Sequence, residues 1–369
     1  MREIRSIILH LERMIINSFE FCSKVEVKTS KVISKMTLSY QFKVPKNLEK
    51  RACGIKDTHL PIQLSVVLKS KSPIIGFYFK VDNRFVDSHR MCVLFNSEIA
   101  SKFSLADHQF GTIKRPVVRK EMELWKTEPD KWNEVPISIE TCQSFVGLDN
   151  DIRGVAVIPK GVREYEIIGS KYDTIRLTLF RTYGYMGKEN LLYRPGRASG
   201  ETVIATPDAQ CHKEMTFAFS VIYYQGNMNT YGLAEVVNDY LKEFQIYQYA
   251  DYLNTRLRFT QFNVPKTLSQ KYSLLNIKGD AILSIVKKAE EHPGYILRFY
   301  NGNYKQTCSG EVEFYEQPKT IECVDLKEEI KQKLEITGRK VVIPNLTHNK
   351  FVTLFKIIFQ SLDFMSNFW

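Results

Sequence analysis

Ile4, Ile7, Ile8, Leu11, Ile15 and Phe19 recur three or four residues apart, which lays one apolar stripe along a helix. This is the clearest helical pattern in the chain, and it predicts a short amphipathic helix within residues 1–28. From about Lys28 the period changes to two. "KMTLSYQFKVP", "LPIQLSVVLKS", "PIIGFYFKVDN" and "RMCVLFN" are short runs of β-branched and aromatic residues, separated by Pro, Gly, Asn and Lys. An irregular stretch, 101–141, follows, carrying Trp125 and Trp132. Strands resume with "QSFVGLDN", "GVAVIPKG", "YEIIG" and "TIRLTLFRTY", whose intervening turns suit antiparallel hairpins. A second irregular excursion, 184–207, leads into "EMTFAFSVIYY". Polar, partly helical sequence at 226–251 marks a boundary, and "KYSLLNIKG", "AILSIVKKA", "GYILRFYNG", "SGEVEFYEQ" and "RKVVIPNL" form a second, smaller set of strands. "CVDLKEEIKQKL" reads as a helical or loop insertion. Regular turn spacing with almost no long helix predicts an all-β protein. The expected order is the helix at 1–28, a large antiparallel β-sandwich at 29–228, and a linker with a smaller β domain at 229–369.

Composition changes this picture little. Hydrophobic residues make up 44% and charged residues 25% of 369 positions, enough to build a substantial core. The net charge of +11 invites a nucleic-acid reading, but the basic residues are scattered. The densest clusters, "KSKS" at 69–72 and "IKRPVVRK" at 113–120, do not interleave aromatics with arginine, so no nucleic-acid partner is expected. Seven cysteines form no CxxC pair and no Cys/His spacing suited to zinc. An odd, dispersed set implies reduced thiols and a cytoplasmic setting. Arg2, Arg5, Glu12 and Arg13 interrupt the first apolar stretch, unlike a signal peptide. The tail "FVTLFKIIFQSLDFM" is too short to span a bilayer and contains Lys356, so no membrane partner is expected.

Several segments, taken in order, resemble bacterial members of glycoside hydrolase family 38, particularly the mannosylglycerate-hydrolase-like α-mannosidases. They are "FKVDNRFVDSHRMCVLF" (79–95), "DHQFGTIKRPV" (107–117), and "QSFVGLDNDIRGVAVIPKGVREYEI" followed by "IRLTLFRTYGYMG" and "RPG". "TPDAQCHKEMTFAFSV", "LSIVKKAEEHPGYILRFYN" (283–301) and "VDLKEEI" complete the set. Their order over residues 31–353 carries the resemblance. It implies a large β-sandwich followed by a smaller β domain, as in the family's C-terminal region. Ser88 stands about where the family has an acidic residue, Cys92 where it often has Arg, and "HNKFVTLF" lacks the family's usual Glu. Residues 1–28 match nothing in that sandwich, as expected for a preceding helical segment or a truncated or split gene.

The family's enzymes, as the resemblance implies, are retaining α-mannosidases. They hold zinc through two Asp and two His in an N-terminal domain, with a pair of carboxylates flanking the scissile bond. Its H-x-H-x-D-x-x-W motif has no match here, and the seven His stand alone. Asp87…His89 and Asp107-His108 are the nearest approximations to metal pairs, and both lie in sandwich-like segments. No zinc ligand, nucleophile or acid/base is therefore assigned to this chain. Zinc is expected in a separate catalytic α-mannosidase chain, the expected partner, and an α-mannoside is the expected ligand. Asp107, His108, Gln109, Phe110 and Arg115 are the candidate substrate contacts, since they combine hydrogen-bonding groups with an aromatic platform. The alternative for that loop is packing on the sandwich. For the chain as a whole the alternative is an independent carbohydrate-binding or scaffold module. Read without the resemblance, Asn83, Gly154, Gly161 and Gly184 are expected in left-handed turns. Arg181 and Arg298 are expected to pair with carboxylates, and "KKAE" to be a solvated face.

Overall fold

A computed structural model of the chain describes residues 22–355, apart from 133, 188, 190–202, 243, 246–272, 291 and 305. The first strands in chain order are β1 (Cys22–Thr29), β2 (Ile33–Val44), β3 (Thr58–Lys69), β4 (Ile74–Asp82), β5 (Arg90–Asn96), β6 (Phe103–His108) and β7 (Gly111–Pro116). Then come β8 (Glu140–Thr141), β9 (Val146–Asp149), β10 (Arg153–Lys160), β11 (Glu164–Ile168), β12 (Thr174–Arg181), β13 (Tyr185–Met186), β14 (Ile204–Ala205) and β15 (Glu214–Gln225). Among the described residues they form a nine-stranded sheet, ordered β1-β2-β3-β4-β15-β10-β9-β6-β7, and a four-stranded sheet, ordered β5-β12-β11-β8. β13 and β14 make a separate ribbon.

The alternation of residue types explains the layering. In β3, Leu60, Ile62, Leu64 and Val66 are all buried while Gln63 between them faces out. β10 is buried at every position from Gly154 to Pro159, as a near-continuous apolar run at the centre of a sheet should be. Phe77 of β4 and Phe219 of β15 are register partners and stack at 5.5 Å. Phe95, from β5 in the other sheet, meets them edge-on at 6.1 and 5.7 Å. These three rings join the two sheets, and each buried ring stabilises the sandwich by roughly 1.5–3 kcal/mol.

The later strands are β16 (Leu275–Gly279), β17 (Ile282–Lys288), β18 (Tyr295–Tyr300), β19 (Cys308–Phe314), β20 (Glu322–Val324), β21 (Ile330–Lys333), β22 (Lys340–Leu346) and β23 (Phe351–Phe355). Among the described residues they form a three-stranded sheet, β16-β19-β22, and a five-stranded sheet, β17-β18-β23-β20-β21. Leu297, Phe299 and Leu354 from one sheet share a core with Val312, Phe314, Val341 and Ile343 from the other. The all-β expectation of a large sandwich followed by a smaller β domain therefore describes the molecule. Contacts divide it into one unit of residues 1–108 and 113–231 and a second of residues 109–112 and 232–369.

Local expectations fare unevenly. The helix expected within residues 1–28 lies outside the described residues up to 21, and Cys22–Thr29 is a strand paired along β2. The stretch 101–141 is less irregular than its sequence, holding β6, β7 and β8. Of the helices α1 (Leu48–Ala52), α2 (Lys120–Thr127), α3 (Met228–Tyr231) and α4 (Leu233–Leu241), α2 also falls there. "CVDLKEEIKQKL" is the β20–β21 hairpin, not a helix: Asp325 Oδ1 accepts from the backbone N of Lys327 and Glu329, and this closes a turn. Gly161 has the expected positive φ of 91°, whereas Asn83, Gly154 and Gly184 do not. Gly154 is required for space instead, since a Cβ there would lie 2.2 Å from the Tyr224 ring. Arg181 does pair with a carboxylate, that of Glu164. Arg298 donates to Thr353 Oγ1 at 3.1 Å and lies over the Phe351 ring.

Candidate functional site

Asp107, His108 and Arg115 fall in the first unit, Gln109 and Phe110 in the second. Asp107 ends β6 with its carboxylate turned inward, where Oδ2 accepts from the backbone N of Ser144 at 3.1 Å and from its Oγ at 2.5 Å. Burial pushes its carboxyl up to about 6, against the lowering effect of those hydrogen bonds. Arg115 is engaged by Glu140 at 3.2 Å, the Thr141 carbonyl at 3.1 Å and the Tyr165 hydroxyl at 3.2 Å. Phe110, at a φ of 56°, packs its ring 4.5 Å from Phe351 and 6.2 Å from Tyr300. Gln109 is exposed and His108 half-buried. Three of the five side chains thus have protein partners.

A different set of residues lines a cleft of about 950 Å³ in the first unit. Its floor is built by two segments far apart in the chain: the turn after β4, and residues 207–212 before β15. Asn83 is fully buried and donates through Nδ2 to the carbonyls of Gln210 at 3.0 Å and Cys211 at 3.2 Å. The Gln210 side chain answers in the other direction. Its Oε1 accepts from the backbone N of Ser88 at 2.7 Å, and its Nε2 donates to Ser88 Oγ at 3.0 Å. Ser88 and Cys211 both adopt a φ of 50°, a left-handed conformation uncommon outside glycine. Asp87 precedes Ser88, His212 follows Cys211, and the two side chains meet: His212 Nε2 lies 2.5 Å from Asp87 Oδ1, across 125 residues of sequence.

The rim comes from the end of β12 and the ribbon. Tyr183 and Tyr185, two residues apart, are 45% and 56% exposed. Arg181 reaches Glu164, which also accepts from Thr178 Oγ1 at 2.7 Å and pairs with Arg90 at 3.0 Å. Burial raises the Glu164 carboxyl, but the hydrogen bonds from Thr178 and Arg181 and the two arginine charges outweigh it, so it sits below the usual range. His89 serves as packing. Its Nδ1 is 3.3 Å from Thr182 Oγ1, its ring meets Phe180 edge-on, and burial with the nearby Arg51 charge pulls it down to about 4.

Chemically the cleft offers a partly exposed carboxylate–imidazole pair and two exposed tyrosines. It does not fit zinc, which takes three or four ligands: the Asp87–His212 pair supplies two, and among the described residues no group of three His, Cys, Asp or Glu side chains could hold a metal ion. Sequence spacing suggested Asp87 with His89. The structure pairs Asp87 with His212, which no local spacing could reveal. The only sequence signal was that "TPDAQCHKEMTFAFSV" and "FKVDNRFVDSHRMCVLF" stand out as ordered motifs. Among the described residues no helix is long and apolar enough to cross a membrane.

Comparison with known proteins accounts for those motifs. Residues 10–196 match the Glycosyl hydrolases family 38 C-terminal domain, and residues 280–354 match the Glycosyl hydrolases family 38 C-terminal beta sandwich domain. A curated relative named "Putative mannosylglycerate hydrolase", from Halalkalibacterium halodurans, is 28% identical over 171 residues, which cover 46% of this chain and 16% of that protein. In fold, the chain is similar to an alpha-mannosidase from Enterococcus faecalis, with a TM-score of 0.66 and 19% identity over 90% of this chain and 35% of that one. A second Enterococcus faecalis structure, of a protein in glycosyl hydrolase family 38, gives a TM-score of 0.63 at 18% identity, over 90% of this chain and 36% of that one. The chain therefore spans about a third of the length of these structures. Two family matches in chain order, each on a β-sandwich with its own core, place this chain in glycoside hydrolase family 38, as a representative of the family's C-terminal β region.

Proposed function

We propose that this chain is the non-catalytic β portion of an α-mannosidase that acts on α-mannosides in mannose metabolism. Its sandwich supports a zinc-bearing catalytic chain and does not turn over substrate alone. The observation that carries the reading is that both family matches are to C-terminal domains, one on each unit. The names of the similar proteins, a mannosylglycerate hydrolase and an alpha-mannosidase, support the choice of mannoside. In this reading the chain is cytoplasmic, as its dispersed free thiols suggest.

Hydrolysis of an aryl α-mannoside by the purified chain, with zinc added, tests the proposal. No turnover above background is expected. Zinc-dependent turnover that a chelator abolishes would sink it.

A further inference from the structure

We propose that β1 is a self-docking edge, through which two copies of this chain join by antiparallel pairing of β1 with its counterpart, centred on Val27. Among the described residues β1 ends the nine-stranded sheet, bonded to β2 on one side. All of its residues are exposed, and none is a proline. The β1–β2 hairpin closes with Ser30 N donating to the Ile33 carbonyl at 2.8 Å. Bonded and non-bonded pairs alternate along an antiparallel ladder, so Lys24, Glu26 and Lys28 turn their backbone groups toward β2. Val25, Val27 and Thr29 then present N–H and C=O on the free edge, a template for another strand.

The side chains select the strand that fits. Val25 and Val27, register partners of Leu38 and Met36 on one face of the sheet, are 56% and 65% exposed. Pairing about Val27 sets Val27 against its own copy and Val25 against Thr29 of the partner subunit, which extends that apolar strip across the junction. Lys24, Glu26 and Lys28 lie on the other face. Lys28 is the register partner of Lys35, and like charges directly opposite destabilise a sheet. Glu26 forms its ion pair with Lys24, and among the described residues neither Lys28 nor Lys35 forms one. In the Val27-centred pair, Glu26 of each copy stands opposite Lys28 of the other, so each Lys28 gains a carboxylate. A centre at Glu26 would oppose Glu26 to itself and Lys24 to Lys28 twice over. A centre at Val25 would offer Glu26 to Lys24, which has it already, and leave Lys28 opposite Cys22. Edge lysines ordinarily keep strands apart, and here they admit one register. The contact is isologous and closes at two copies. Its single pair of strands puts it at the low end of interface sizes, so the dimer is weak, with a dissociation constant of order micromolar.

Sedimentation velocity of the full chain, from about 1 to 200 μM, tests the proposal. The wild type should pass from monomer to dimer across that range. Val27→Pro removes a free-edge N–H and leaves the bonds to β2 in place, so association should weaken by about tenfold or more at an unchanged melting temperature. Glu26→Lys and Lys28→Glu, each alone, set like charges opposite one another and should weaken association by about tenfold. An equimolar mixture of these two variants should regain most of the wild-type association, a rescue that misfolding of either could not produce. Loss of the dimer in Glu26→Lys but not in Lys28→Glu would refute the Val27 register. A wild type still monomeric at about 200 μM, or a dimer indifferent to Val27→Pro, would overturn the proposal.

Discussion

Asp107 makes stability depend on pH in a direction opposite to that of most carboxylates. Its carboxyl is pushed up to about 6 by burial, against an ordinary value of about 3.9. In the folded state, therefore, the protonated form is favoured, and the folded chain holds a proton that the unfolded chain has released. The contribution to stability is fully present below about pH 4 and is lost as pH rises through about 6. Two units correspond to about 3 kcal/mol, a net figure in which the bonds from Ser144 N and Oγ already offset part of the effect of burial. Asp107→Asn keeps an oxygen for the Ser144 N–H and does not titrate. Urea unfolding of both proteins at intervals from pH 3.5 to 7.5, followed by tryptophan fluorescence, gives the difference curve. Relative to the variant, the wild type should lose about 1–3 kcal/mol between pH 4 and 7 and change little outside that window. A difference curve flat to within about 0.5 kcal/mol, or one that rises with pH, would show that burial does not dominate at this carboxyl.

Two further substitutions probe the packing of each unit. Gly154→Ala places a methyl 2.2 Å from the Tyr224 ring and should lower stability by about 1–3 kcal/mol. In a Tyr224→Ala background that penalty should largely disappear, and an unchanged penalty in the double-mutant cycle would rule out the ring as its cause. In the second unit, fully buried Asn301 donates to the carbonyls of Gln306 and Leu346 and accepts from the N–H of Asn303. Asn301→Ala should cost about 2–4 kcal/mol by leaving buried groups unsatisfied. Hydrogen exchange should show lost protection in β18 and β22 but not in β3 or β4, and uniform loss across both units would refute the locality of the effect.

Much of the architecture was legible in the chain itself. Period-two alternation or an unbroken apolar run marked β2, β3, β4, β10, β12 and β15, because a strand with one buried face must alternate and a central one must be apolar throughout. The ordered motifs located the family, and Asn83 and Asn301, both inside motifs, turn out to be braces that hold distant backbone carbonyls. Short elements were less readable. The β20–β21 hairpin has exposed residues all along β21, two of the four being lysines, a pattern that composition alone assigns to a helix or loop. β6, β7 and β8 were hidden in a stretch whose charges are paired only after folding, as Arg115 is with Glu140.

Burial and long-range meeting lay beyond sequence reasoning. Asp107, Phe110 and Arg115 look like ligand-binding residues by type, yet each finds a protein partner. The Asp87–His212 pair is not visible in the sequence, since its members are 125 residues apart and local spacing set Asp87 beside His89 instead. Periodicity is a local property, set by the geometry of one strand and one water-facing side, so the chain alone determines strands, layers and family. Which polar side chains converge depends on strand order and on turns forced into left-handed backbone, and only the tertiary structure, by closing β4 against β15, brings Asp87 to His212 at the edge of a cleft.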